Sequence, residues 1–142
     1  MISSISAGNI SCNGGSDGTA LANVTGGMTP YNYSWDDPNN QTDSMATGLS
    51  AGTYMVIVTG SDSCSATGYI TLTEPSALVL TSNSTNANCG TNDGSASVNA
   101  TGGMPPYQYL WDDSLAQTTA TANNLYAGVY NVIVTDSNGC TT

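Results

Sequence analysis

The chain contains no lysine, arginine, histidine or phenylalanine, and its 10 acidic groups give 142 residues a formal net charge of -10. With no cationic side chain it cannot neutralise a phosphate backbone, which excludes nucleic acid as a partner. The same absence removes the usual general bases, the lysine nucleophile and the arginine clamp, and the sequence therefore reads as non-enzymatic. No apolar run approaches the roughly 20 residues of a spanning helix, so no membrane insertion is expected. The start of the chain, Met1-Ile2-Ser3-Ser4-Ile5, lacks the basic and long apolar regions of a signal peptide. It reads as mature protein or a segment of something larger.

What is present is β chemistry. Tyr, Trp, Val, Ile and Thr suit half-buried pleated strands, and a surface of Ser, Thr, Asn and Gly hydrates without charge. Short apolar and Thr-rich runs alternate with Gly-Gly, Asn-Gly, Asp-Gly and Pro-containing turns, with no sustained helical period. In the first half these runs predict strands near Ile2–Ser6, Thr19–Thr25, Tyr31–Trp35, Thr42–Ala46, Thr53–Thr59 and Gly68–Thr73. Tyr31, Tyr33 and Trp35 alternate with Asn32 and Ser34, so the aromatics share one face of a strand, as core or as a sugar-stacking platform.

Displacing the sequence by 76 residues superposes it on itself, with 27 of the 48 positions from Asp17 to Cys64 identical. Thr25-Gly26-Gly27-Met28 falls on Thr101-Gly102-Gly103-Met104, Trp35-Asp36-Asp37 on Trp111-Asp112-Asp113, and Val56-Ile57-Val58-Thr59 on Val132-Ile133-Val134-Thr135. The expectation is all-β: two tandem immunoglobulin-like β-sandwich repeats, residues 1–75 and 76–142. The strand Gly68–Thr73 has no counterpart in the second copy, since the sequence given stops at Thr142. Two explanations are open. The sequence is a window on a longer array, or a neighbouring subunit's Ile2–Ser6 segment fills the gap in trans and links chains into a filament.

Four cysteines allow three pairings. Cys140 matches Cys64, and Cys89 matches Cys12 to within one residue, so the duplication favours pairing within each copy: Cys12 with Cys64 and Cys89 with Cys140. Each such bridge would contribute about 4 kcal/mol in the chain-entropy model and would imply an oxidising, extracellular location.

The carboxylates Asp17, Asp36, Asp37, Asp93, Asp112 and Asp113 are candidate oxygen ligands for Ca²⁺, although no EF-hand or RTX spacing is present and solvated turn residues are the plainer reading. Six Asn-x-Ser/Thr sequons, at Asn9, Asn23, Asn32, Asn40, Asn83 and Asn99, are close to the number this composition gives by chance.

The pattern Cys12, Asp17-Gly18, Thr25-Gly26-Gly27, Pro30-Tyr31-x-Tyr33-x-Trp35, Leu49-x-Ala51-Gly52-x-Tyr54-x-Val56-x-Val58-Thr59 and Cys64, with Asp136-Ser137-Asn138-Gly139-Cys140 closing the second copy, resembles the SprB repeat of Bacteroidetes gliding-motility adhesins and giant surface proteins. The last two segments also resemble PKD-type immunoglobulin-like domains. The resemblance implies export, commonly through the type IX system, and a structural or adhesive role at the cell surface, with self-association into a filament or longer array. It carries over no catalytic residue, and the family's export tail is not visible. Asp43-Ser44-Met45 and Asp113-Ser114-Leu115 resemble the sequence at which Bacteroidetes attach O-glycans, making Ser44 and Ser114 candidate modification sites. The alternative function is a carbohydrate-binding surface module.

Overall fold

The computed structural model describes residues 2–142, and the chain divides into two compact units, Met1–Glu74 and Pro75–Thr142. Each is an immunoglobulin-like β-sandwich, and no helix occurs among the described residues. The first unit contains β1 (Ile2–Gly8), β2 (Gly18–Val24), β3 (Asn32–Trp35), β4 (Met45–Leu49), β5 (Gly52–Thr59) and β6 (Ser65–Leu72). One sheet has the order β1-β2-β4 and the other β3-β5-β6, all pairs antiparallel. Alternation in β5 explains the layering: Val56 and Val58 are fully buried between the sheets, and the intervening Ile57 is only half-buried. Trp35, Leu49, Leu72, Ala20, Ala22 and Ala46 complete the core with Ile10.

The repeated Asp-Gly pairs have a steric explanation. A Cβ at Gly18 would lie 2.6 Å from Leu72 Cδ2 and 2.7 Å from the Leu49 carbonyl oxygen, and one at Gly94 would lie 2.9 Å from the Leu125 carbonyl oxygen. Only glycine lets the backbone pass that close.

The second unit repeats the plan with β7 (Val79–Thr85), β8 (Gly94–Thr101), β9 (Gln108–Trp111), β10 (Thr121–Leu125) and β11 (Val132–Thr135). Its sheets are β10-β8-β7 and β11-β9. The expected strands are present, but β4 begins at Met45 and not at Thr42, because residues 41 to 44 carry the chain from one sheet to the other. Along this crossing Trp35 N donates to the Gln41 carbonyl and Ala22 N to the Ser44 carbonyl.

β11 has four residues where β5 has eight. The sequence given ends at the position of Ala66, early in β6. β5 is held by β3 on one side and β6 on the other, whereas β11 has β9 and, on its free edge, only the start of a further strand. Thr135 bridges Thr141, and Val134 and Thr142 exchange both backbone hydrogen bonds at 3.0 Å. These pairs occupy the positions of Thr59 with Ser65 and Val58 with Ala66 in the first unit. Val132 is consequently half-buried, where its counterpart Val56 is sealed.

Ile2–Ser6, the segment expected to act in trans, is instead part of β1 and pairs with β2 of its own unit from Ile2–Val24 to Gly8–Thr19. β1 is an edge strand, bonded to β2 along one side, and β7 fills the same place in the second unit.

Candidate functional site

β1 begins and β5 ends at one pole of the first sandwich, here called the leading pole. β1 ends, and β6 runs out, at the trailing pole, where Ile10 N donates to the Thr73 carbonyl oxygen at 3.0 Å. Cys12 sits in the β1–β2 turn at the trailing pole, where the Glu74 carboxylate accepts from Asn13 Nδ2 at 3.1 Å and Gly14 N at 2.6 Å. Cys64 sits in the β5–β6 turn at the leading pole, beside Ser61, whose N–H donates to the Met28 carbonyl. The full length of β6 separates them, about 23 Å at ~3.3 Å per residue, and a disulfide needs Cα atoms within about 7 Å.

The second unit has the same layout. Cys140 follows β11 beside Met104 and Asp136, and Cys89 lies in the turn before β8, with the eight residues of β8 between the two poles. The within-copy pairings Cys12–Cys64 and Cys89–Cys140 are therefore corrected. Cys64 and Cys89 carry free, exposed thiols, while Cys12 and Cys140 are in disulfide form. Strand direction is the physical reason. Regular up-and-down alternation would return the β5–β6 turn to the pole of Cys12, but β3 and β4 run the same way, because the chain changes sheets between them.

The candidate ligand carboxylates do not converge: no group of three acidic, cysteine or histidine side chains suited to a metal ion occurs among the described residues. Each instead organises a turn. Asp37 is only 2% exposed and accepts from Asn39 N, Gln41 N and Gln41 Nε2 at 2.9, 2.8 and 3.0 Å. Burial alone would raise its pKa, but the Gln41 and Asn39 hydrogen bonds outweigh this and hold it below the ordinary value. Asp113 repeats the geometry with Leu115 N, Gln117 N and Gln117 Nε2, and donation from Gln117 N is the main reason its carboxyl is lowered.

Asp36 accepts from Met55 N at 2.7 Å, and Asp112 from Asn131 N and Nδ2 at 2.7 and 2.8 Å. Asp17 accepts from the Ser11 hydroxyl at 2.6 Å. Asp93 accepts from Thr91 Oγ1 and Asn88 N at 2.7 and 2.8 Å, and these bonds, Thr91's first, lower its pKa to about 2. Asp136, which was not among the candidates, is buried and accepts from the N–H groups of Met104, Asn138 and Cys140. Asp-Ser-Asn-Gly, a turn signature, was its legible signal. Gln41 and Gln117 were legible too, since Gln41-Thr42 and Gln117-Thr118 are polar identities after Asp37 and Asp113 in a stretch where the copies otherwise diverge.

The two tryptophans are core residues. Trp35 is 2% and Trp111 4% exposed, and their Nε1 groups donate to the Asp43 and Thr119 carbonyls, each at 2.9 Å. Tyr31 and Tyr107 are half-buried, with hydroxyls bonded to the Gly26 and Gly102 carbonyls. Ser44 and Ser114 are exposed, as are all six sequon asparagines.

The second unit has an open groove of about 920 Å³ whose lining mixes apolar Leu80, Trp111 and Val132 with polar Ser82, Asn83 and Asn131. It lies along the free edge of β11, where β6 would be in the first unit. Fold and surface together define a tandem all-β repeat protein whose buried polar groups serve turns. The family model described as SprB repeat matches residues 4–40 and 81–116, just over half the chain and once in each unit. The chain belongs to the SprB-repeat family, a family of structural repeats typical of Bacteroidetes surface adhesins. Comparison with curated proteins finds no significant match. No helix among the described residues is long and apolar enough to cross a membrane.

Proposed function

We propose that the chain is a non-catalytic structural repeat unit of an extracellular fibre or cell-surface adhesin, and that it associates with further repeats by strand addition at β11. The match of the SprB-repeat model once in each of two like units is the observation that carries this reading, and the pairing of Thr135 with Thr141 and Val134 with Thr142 marks the edge at which a further strand begins. A strand edge that is paired over only part of its length is a template for another strand. The strand that suits it has the character of β6, in which Ala66, Gly68, Ile70 and Leu72 face inward and alternate with exposed Ser65, Thr67, Tyr69 and Thr71. In the first unit Gly68 is needed because a Cβ there would lie 2.5 Å from Ile5 Cδ1 of the facing sheet. Such a strand comes from the next stretch of a longer array or from another copy of the chain.

Burial of both tryptophans disfavours a carbohydrate platform. Glycans at Ser44 and Ser114 remain part of the proposal as surface modifications, to be read by mass spectrometry of native material.

Two measurements test the assembly. Negative-stain electron microscopy of native, unreduced material should show filaments or long repeat arrays. A peptide with the Ser65–Leu72 sequence should bind the isolated chain and raise the unfolding temperature of the second unit. Monomers that ignore the peptide would overturn strand addition.

A further inference from the structure

The two units differ at the wall that a strand beside β11 has to cross. Ile5 pairs with Ala22, and Ser82 pairs with Val98, the residue 76 positions after Ala22, so Ser82 takes the place of Ile5. By the same count Leu80 takes the place of Ile2 and Ser84 that of Ala7. In the first unit the two isoleucines leave β6 no room for a side chain at Gly68, whose Cβ would lie 2.5 Å from Ile5 Cδ1 and 3.2 Å from Ile2 Cδ1. In the second unit one of these isoleucines is a serine, and Leu80, Ser82 and Val98 line the open groove. Val98 is larger than Ala22 and returns part of the lost volume from the neighbouring strand.

The outer face of the edge differs as well. Thr53 pairs with Thr71 of β6, their hydroxyl oxygens 2.8 Å apart. The counterpart of Thr53 is Val129, which is 92% exposed and has no hydroxyl to share.

We propose that the second unit accepts a strand of different sequence from β6, with a β-branched side chain where β6 has Gly68 and an apolar one where β6 has Thr71. The occupant is a further stretch of the array, running antiparallel to β11 in the register that Thr141 and Thr142 begin. The β6 strand of a second copy does not fit. It is paired with β5 along its whole length in its own unit, and its Gly68 would leave the space above Ser82 unfilled. Glycine inside a strand also loses more backbone freedom than other residues. Threonine suits the position best: a strand laid across Ser82 covers its hydroxyl, and threonine brings both volume and a hydrogen-bonding partner. An apolar residue opposite Val129 makes a cross-strand pair of a valine that otherwise faces water. Each unit thus selects its own closing strand, since Ile5 rejects a side chain in the first and Ser82 leaves room for one in the second.

This inference rests on the strand-addition reading, and the test separates the two. The full chain is extended past Thr142 with the Thr67–Leu72 sequence, which follows Ala66 in β6. Amide hydrogen exchange of β8, read by mass spectrometry, reports the stability of the second unit. Grafts carrying Gly68→Thr or Thr71→Val should each slow that exchange roughly twofold to fivefold relative to the unaltered graft. In a Ser82→Ile chain the order at the first position should reverse, with the glycine graft protecting more than the threonine graft. If all grafts protect alike, or if Ser82→Ile leaves the order unchanged, the sequence preference is overturned and strand addition stands. If no graft slows exchange, both are overturned.

Discussion

The Asp37 carboxylate binds the Gln41 side-chain amide at 3.0 Å, and the same pair recurs one repeat later between Asp113 and Gln117, also at 3.0 Å. Gln41 extends the link by donating to the Thr47 carbonyl and accepting from Thr47 N, so the start of the sheet-crossing segment is tied to the middle of β4. Gln117 does the same with Asn123. The crossing that decides strand direction, and hence which pole each cysteine occupies, is fastened by one buried carboxylate and one amide per repeat.

Asp37→Ala leaves three donors without their acceptor in a nearly closed site. The expected cost is about 1–3 kcal/mol, read as a lower denaturant midpoint for the first unit. Gln41→Ala in the same background should cost less than it does alone, because the two side chains share a bond; equal costs would sink the coupled description.

The pH profile follows from the absence of cations. Asp17, Asp37, Asp93, Asp112, Asp113 and Asp136 all have folded pKa values below the ordinary 3.8. A lowered folded pKa gives stability that is present above the unfolded value and lost as pH falls through the folded one. Thermal stability should therefore be flat from about pH 5 to 8 and fall below about pH 4, with Asp93 the last to protonate, near pH 2. A decline already under way at pH 6 would contradict this assignment.

Salt should stabilise. The chain has 10 acidic groups and no cationic side chain, so added sodium chloride screens repulsion and has no side-chain ion pairs to weaken. The unfolding temperature should rise between low salt and about 0.15 M, where the Debye length is about 8 Å. A fall would point to an attractive charge term that the sequence does not contain.

Gly18→Ala should destabilise the first unit by about 1–3 kcal/mol, since the new methyl meets the Leu49 backbone and Leu72. Gly14→Ala provides the contrast: its Cβ would meet nothing within 4 Å, and any cost arises from a φ of 74° alone. Denaturant unfolding of the two variants separates crowding from backbone strain.

Asp62→Asn should lower the Cys64 thiol's pKa, since the carboxylate that raises it is gone. Alkylation of Cys64 at pH 8 should be faster in the variant, with Cys89 as an internal reference; an unchanged ratio would remove Asp62 from control of that thiol.

The duplication, the strand positions and the core tryptophans were legible because each rests on local or self-comparing information. Tyr31, Tyr33 and Trp35 alternate along one strand, and Val56 and Val58 do so along its neighbour, so period and burial follow from sequence order. The carboxylates were legible as turn residues, but not the particular donors each one holds, since Asp136 and Met104 are 32 positions apart. The cysteines were misread for a related reason: equal spacing in two copies shows that the copies are alike, not that the paired positions are close.

By itself, then, the amino-acid order determined two all-β modules, their strands and the apolar face of each, because side-chain alternation and turn chemistry act over a few residues. Which thiols are free was decided only by tertiary structure. A strand's direction depends on where the chain changes sheets, and between β3 and β4 that change reverses the expected alternation and sends Cys12 and Cys64 to opposite poles.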